Sequence, residues 1–278
     1  MIDPSNTLLC IFSYNMGPAL RTCLQSIRDM CAGFSVVVID DDSRDAETLK
    51  VISEYEDMFV EVFRSTDHKQ GRRHGNLYVN IQRMYEYAHT AGWTYLFMIQ
   101  DDMQFVRPFS NDIRKQYSRL FEDNPSLIQI DPRFLRRGGN YEVLPEQRAY
   151  RYNATTSYAD AGITNIERLK ALKWSFQEGE RNNARALTAL GCQRVFPFST
   201  IMAQVPFPTV FRRGKRKRSL ILLHRGHYRF QYMTEAEIAV MDSRPAEERP
   251  YFRTFLKPAN MRLSRIVYAL RKDSKIHN

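Results

Sequence analysis

Val36-Val37-Val38-Ile39-Asp40-Asp41-Asp42-Ser43 is the stretch on which the fold turns. Four β-branched residues run without a polar break and stop at three acids. A strand buried on both faces reads this way, because neither face meets water. The same pattern stands on either side. Thr7 to Phe12 is a nearly continuous apolar run ending at Ser13-Tyr14-Asn15, and Tyr95 to Ile99 ends, one residue later, at Asp101-Asp102. Between them lies a helix beginning near Pro18, which lacks the N–H that a first turn leaves unbonded. Leu20, Leu24, Ile27 and Cys31 mark its inner face. Ser43 is expected to cap a second helix with Leu49, Ile52 and Tyr55 inward. Phe59 to Phe63 reads as a strand. Leu77, Ile81, Met84, Tyr85 and Ala88 recur at helical spacing, and Gly92 ends that helix. Such alternation predicts an α/β protein with a mostly parallel, doubly wound sheet and helices on both faces. Ligands of such sheets bind beyond the carboxyl ends of the strands, where the polar clusters fall.

The second half is less regular. Phe109 to Phe121 reads as helix and Leu127 to Ile130 as strand. Thr164-Asn165-Ile166-Glu167 fits a capping box, as does the Thr234/Glu237 pair at the head of a helix reaching Met241. Glu180 to Leu190 is a helix stopped at Gly191. Six cations fill the seven positions from Arg212 to Arg218, read as a basic loop before a strand from Leu220 to Leu223. Asn260 to Lys272 has the pattern of a basic amphipathic helix.

Composition narrows the classes. The 278 residues are 43% hydrophobic and 26% charged, which excludes collagen-like and disordered chains. Lys plus Arg is 41 and Asp plus Glu 31, a net charge of +10 that favours nucleic acid, an anionic membrane or phosphorylated small molecules. The N-terminus lacks a signal-peptide pattern, and the longest apolar runs are too short to span a bilayer. Cys10, Cys23, Cys31 and Cys192 show no CxxC spacing and read as buried thiols of a cytosolic protein.

The strand-end acids carry the chemistry. Asp101 and Asp102 suit a hard divalent cation that takes its other ligands from water and substrate phosphates; they also suit a solvated strand end. Asp40 can accept from a ribose hydroxyl or a base N–H, while Asp42 or Ser43 can cap the next helix. Three adjacent acids repel one another, so a cation or donor is expected beside them.

Together these pieces resemble the inverting glycosyltransferases of family 2, with their GT-A nucleotide-sugar fold. Ile11-Phe12-Ser13-Tyr14-Asn15 is similar to the family's "TYN" strand end. Val36 to Ser43 is similar to its "VVDDGS" element, with Asp42 where Gly is usual. Phe97-Met98-Ile99-Gln100-Asp101-Asp102 is similar to its "DXD" element, with Gln100 in the first Asp position. The resemblance implies that Ser13, Tyr14, Asn15 and Asp40 contact the nucleotide, with Asp101 near the ribose or donor sugar. It implies that Asp102 binds a Mg²⁺ or Mn²⁺ bridging the diphosphate, with His224 and His227 as further ligands. Arg73 falls where the family often places a basic residue over the nucleotide. The segment Phe176-Gln177-Glu178-Gly179-Glu180 resembles the family's acidic acceptor-site motif, but the usual base position falls on Arg181. Glu180, then Glu178 and Asp160, are the candidates for general base. A helix N-terminus stabilises a carboxylate and weakens it as a base, unless enclosure offsets this.

The resemblance thus implies residues 1–106 as the nucleotide-sugar half, 107–259 as the acceptor and catalytic half of the same domain, and 260–278 as the terminal helix. It implies a metal-dependent hexosyl- or N-acetylhexosaminyltransferase acting on a glycan or lipid-linked acceptor. The thiols suggest a cytoplasmic protein; the basic run 212–218 suits phosphate or peripheral contact with an anionic membrane, while the terminal helix is expected to pack on the domain with its basic face outward. Two alternatives share parts of the pattern. A nucleic-acid-binding protein fits the charge, but zinc-finger spacing and an RNA-recognition aromatic signature are absent. A sugar-nucleotide nucleotidyltransferase fits the sheet, but Ser13-Tyr14-Asn15-Met16-Gly17 is poor in glycine for that chemistry. P-loop and dinucleotide fingerprints are absent too.

Overall fold

A computed structural model describes residues 1–65, 76–134, 141–152, 157–205, 209–212, 215–218, 229–245, 255–257 and 259. The first half follows the expected alternation. Strand β1 (Thr7–Ser13) leads to helix α1 (Gly17–Met30), β2 (Ser35–Asp40), α2 (Ala46–Glu54), β3 (Phe59–Arg64), α3 (Leu77–Thr90) and β4 (Tyr95–Gln100). Then come β5 (Met103–Phe105), α4 (Asn111–Asp123), β6 (Leu127–Ile130), β7 (Tyr141–Leu144), β8 (Ala149–Tyr152) and β9 (Gly162–Asn165). The chain continues through α5 (Ile166–Ala171), α6 (Glu180–Ala189), β10 (Gln193–Pro197), β11 (Met202–Gln204), β12 (Thr209–Arg212), β13 (Lys215–Arg218) and α7 (Glu235–Ser243).

Nine strands form one sheet in the order β3-β2-β1-β4-β9-β6-β10-β8-β7. The left four are mutually parallel, and β10 lies parallel to β6. Only β9 and β8 run against the rest. The continuous apolar runs are explained by where alternate residues go. Leu9, Ile11, Val36, Val38, Phe97 and Ile99 enter one core with α1, α2 and α4. Leu8, Cys10, Val37, Ile39, Leu96 and Met98 enter another with α3, α5 and α6. Both faces are therefore covered, and the polar chemistry is confined to the sheet's edges. Gly17 is buried where α1 meets α2. A Cβ there would lie 2.5 Å from Glu47 Cγ and 2.6 Å from the Thr48 nitrogen, so no larger residue fits.

Several local expectations are corrected. Ser43 does not cap α2; Asp45 does, its side chain accepting from the Thr48 N–H at 3.1 Å. Leu49 is exposed, and Thr48, Val51 and Ile52 form the inner face. Thr164 still belongs to β9, so Asn165 caps α5 by accepting from the Arg168 N–H. The segment around 212–218 is no simple loop: β12 and β13 pair antiparallel. The capping box of Thr234 and Glu237 is present. Cys10, Cys23 and Cys31 are buried and Cys192 is partly so. The expected strand Leu220–Leu223 and helix Asn260–Lys272 lie outside the described residues, as do Arg73, His224 and His227. Among the described residues, no helix is long and apolar enough to cross a membrane.

A third core gathers Val106, Phe196, Phe198, Ala203 and Val205 against Phe230, Met233, Met241 and Leu256. Arg107 holds α7 there with a two-pronged bond to Asp242, at 2.7 and 2.6 Å.

Candidate active site

The carboxyl ends of β1, β2 and β4 lie side by side, because Ser13 pairs with Asp40 and Phe12 with Gln100. Asp40 is buried, and its carboxylate accepts from the Ser43 N–H (2.9 Å) and hydroxyl. Burial pushes its carboxyl above the ordinary range, and the Ser43 bonds pull it back. Asn15 ties the turn together. Its N–H donates to Ser43 Oγ at 2.8 Å, and its side-chain oxygen accepts from the N–H groups of Arg44 and Asp45. Asp42 adopts φ +56°. This is the position where the resembled family has Gly, and the left-handed backbone explains that preference; Asp is among the few side chains that tolerate it. Asp41 faces α3, accepting from the Asn76 N–H and the Asn80 side chain, both at 3.2 Å.

Asp101 and Asp102 turn the chain from β4 into β5, and both are buried. Asp101 accepts from the Tyr14 N–H at 3.0 Å. Burial, then the neighbouring Asp102 charge, hold its carboxyl well above the ordinary range. Asp102 accepts from the Gln204 side chain at 2.7 Å, and its carbonyl accepts from the Val205 N–H at 2.8 Å. The side chain of Tyr14 itself is exposed at this rim.

A second group of charges occupies the same edge further along the sheet. β9 runs opposite to β4, with Gly162 beside Met98, so Asp160 precedes β9 at the carboxyl end of β4. The Gln100 side chain donates to Asp160. Asp131, fully buried just past β6, receives a two-pronged bond from Arg133 at 2.8 and 2.6 Å, and Arg194 of β10 stands 3.7 Å from it. Glu180 opens α6 and reaches the same network, sensing Asp160, Arg194, Arg133 and Asp131. Burial raises the carboxyls of both Asp160 and Glu180; the Asp160 charge raises Glu180 further, while Arg133 and Arg194 pull both down. Glu180 itself is exposed at the start of α6, so water screens these influences there.

The three base candidates thus separate. Asp160 and Glu180 share one charge network. Glu178, exposed like Glu180, lines instead a surface groove of about 410 Å³ with Tyr78, Val79, Gln82, Arg83, Glu86 and Phe176. Tyr78 links the two places, since it lines the groove and senses both Asp160 and Glu180. Sequence reasoning missed Arg133, Arg194, Asp131 and Gln204. Asp131 carried the strand-end signal of Asp40, and Arg194 is a buried cation directly before the apolar run Val195-Phe196-Pro197. Among the described residues, no group of three or more His, Cys, Asp or Glu side chains is arranged to hold a metal ion.

A doubly wound sheet with acids gathered at its carboxyl edge defines a class of α/β proteins that take their ligands there. Residues 9–153 match the profile described as Glycosyl transferase family 2, more than half of the chain, and the chain belongs to that family. No curated protein matches. Among solved structures, S. aureus TarS is similar at 14% identity and TM-score 0.51, over 73% of this chain and 37% of that one. TarS 1–349 in complex with UDP is similar at 15% identity and TM-score 0.51, over 73% of this chain and 61% of that one. The chain thus spans less than two thirds of either. At these identities the likeness concerns the fold, the GT-A type of α/β architecture.

Proposed function

We propose that this protein transfers a sugar from a nucleotide-diphosphate donor to an acceptor hydroxyl, with inversion. One observation carries the reading: Asp40, Asp101 and Asp102 share one sheet edge with Asp160, whose charge is felt by Glu180 at the start of α6. Family membership supports glycosyl transfer over the nucleic-acid-binding and nucleotidyltransferase readings. The UDP held by the TarS structure makes UDP-sugars the first donors to test.

On this reading residues 1–106 hold the donor and 107–259 present the acceptor. Tyr14 and Asp40 meet the base and ribose, with Ser13 and Asn15 setting the turn, and Asp101 faces the ribose or donor sugar. Asp101 and Asp102 supply hard carboxylate oxygens side by side, a donor set suited to Mg²⁺ or Mn²⁺. Asp102 would hold the ion, whose chemistry there is to stabilise charge on the departing diphosphate. Glu180, its carboxyl raised and its side chain open to an incoming acceptor, takes the acceptor hydroxyl's proton, while Gln100 and Arg133 fix the charge of Asp160. The groove beside Glu178 receives the remainder of a glycan or lipid-linked acceptor, the transferred unit being a hexose or N-acetylhexosamine.

The test is a thermal-shift panel of UDP, GDP and CDP with their sugars, with and without Mn²⁺. The expected result is Mn²⁺-dependent stabilisation by one nucleotide family, lost in Asp102→Asn with the apo melting temperature retained. Full transfer activity in that variant would overturn the assignment.

A further inference from the structure

The end of β11 grips Asp102 by its backbone and by its carboxylate. Gln204 stands opposite Met103 in the β5–β11 pair, so its place follows from the register that carries the chain away from Asp102. The Val205 N–H donates to the Asp102 carbonyl at 2.8 Å, and the Gln204 side-chain amide donates to Asp102 Oδ2 at 2.7 Å. β11 is braced on its other side as well. The Met202 N–H donates to the Pro132 carbonyl at 3.2 Å, and the Phe134 N–H donates to the Met202 carbonyl at 2.8 Å. Met202, Ala203 and Val205 are buried, so the amide springs from a strand fixed on two sides.

The choice of donor is informative. At Asp131 the same sheet edge uses Arg133, which neutralises the carboxylate it orients. Gln204 orients Asp102 and adds no charge to it. It also makes the two carboxylate oxygens unlike. The amide hydrogen carries partial positive charge and lies against Oδ2, so a cation sharing both oxygens would sit beside that hydrogen, while a cation held by one oxygen can keep clear of it. Ions differ in what they need. Ca²⁺ takes about six to eight oxygens and often both of a carboxylate, whereas Mg²⁺ demands octahedral geometry completed by water and phosphate. Mn²⁺ accepts octahedral oxygen sites too.

We propose that Gln204 is a positioning residue that commits Asp102 to holding a cation through one oxygen, and so selects Mg²⁺ or Mn²⁺ over Ca²⁺. The inference rests on Asp102 as the cation's ligand and adds which ions that ligand admits.

Thermal shifts of the full chain, with Mn²⁺ or Ca²⁺ titrated in the presence of UDP, GDP and CDP together, test this whichever base the protein prefers. The half-stabilising concentration of Ca²⁺ divided by that of Mn²⁺ measures the selection, and it should stand well above one in the unaltered protein. Gln204→Met keeps the length of the side chain and removes the donor; it should lower the ratio by roughly 10–100-fold, chiefly by weakening Mn²⁺. Gln204→Glu sets a carboxylate in place of the amide and should lower it in the same direction, by favouring the ion that takes more oxygens. Circular dichroism confirms that the variants are folded. A glutamine that merely braces β11 would lower the melting temperature without ions and leave the ratio where it was. An unmoved ratio in either folded variant overturns the role of Gln204 and leaves the cation site standing. No stabilisation of the unaltered protein by either ion overturns the site and this proposal together.

Discussion

Two stretches of one sheet edge handle negative charge differently. At the ends of β1, β2 and β4, backbone N–H groups and neutral side chains meet the acids: the Ser43 N–H and hydroxyl at Asp40, the Asn76 N–H and Asn80 amide at Asp41, the Tyr14 N–H at Asp101, the Gln204 amide at Asp102. Around β6, β9 and β10, guanidinium groups join them: Arg133 forks onto Asp131, Arg194 stands close by, and Gln100 meets Asp160. Backbone donors are fixed once the turn forms, and they suit a surface whose task is to hold a ligand in one pose. A carboxylate among guanidinium groups has a protonation state set by a balance of burial and charge. On the proposed reading that balance serves a proton transfer.

Glu180→Gln tests the contrast most severely. It should reduce kcat by about 10²–10⁴-fold while leaving nucleotide binding intact. In the unaltered protein, the acid limb of kcat/KM should sit above the ordinary glutamate value of ~4.3, because burial and Asp160 favour the protonated form. The limb belongs to the Asp160–Glu180 pair as a unit. Stability should follow the same sign. A folded carboxyl raised above its unfolded value binds more protons in the native state, so stability falls as pH rises through the window between the two values. The Gln variant should lose that part of the slope, with melting temperatures converging in acid. An unaltered rate or an unaltered slope would put the base elsewhere.

Arg133→Met probes the other side of the balance. Asp131 is fully buried and loses its two-pronged partner, which costs about 2–3 kcal/mol after allowing for the partial exposure of Arg133. Arg133 also lowers both raised carboxyls, so its loss should move the acid limb of kcat/KM upward. Arg133→Lys keeps the charge but not the fork, and should restore much of the limb's position while restoring less stability. A purely structural arginine would change the melting temperature and leave the pH profile alone.

The contrast also explains what the sequence disclosed. Val36–Asp40 and its neighbours were legible because strands buried on both faces leave uninterrupted apolar runs, and the strand ends then expose the acids. The caps were less legible. Asp42, Ser43 and Asp45 all have capping chemistry, and only the folded turn shows Ser43 spent on Asp40 while Asp45 caps α2. The charge network around Asp131 was least legible. Asp131, Asp160, Glu180 and Arg194 are spread over some sixty positions and meet only through the pairing of β9 and β10 with β6, which no local period announces. Glu178 and Glu180 look equivalent two residues apart, yet the start of α6 sends one to the groove and the other to the network.

The smallest effect concerns the holding side. Asp42 sits at φ +56°, in the turn that presents Asp40. Asp42→Ala should cost about 1 kcal/mol, because alanine lacks the short polar side chain that eases the left-handed backbone. Asp42→Gly relieves the strain but frees the unfolded chain, so the two contributions should nearly cancel. Urea denaturation of the three proteins would order them as aspartate and glycine together, alanine below. Were the donor turn held by side-chain charge as the other half is, removing this carboxylate would matter more than the backbone angle, and glycine would fall with alanine. Equal losses in both variants would therefore erase the distinction between the two halves at its most local point.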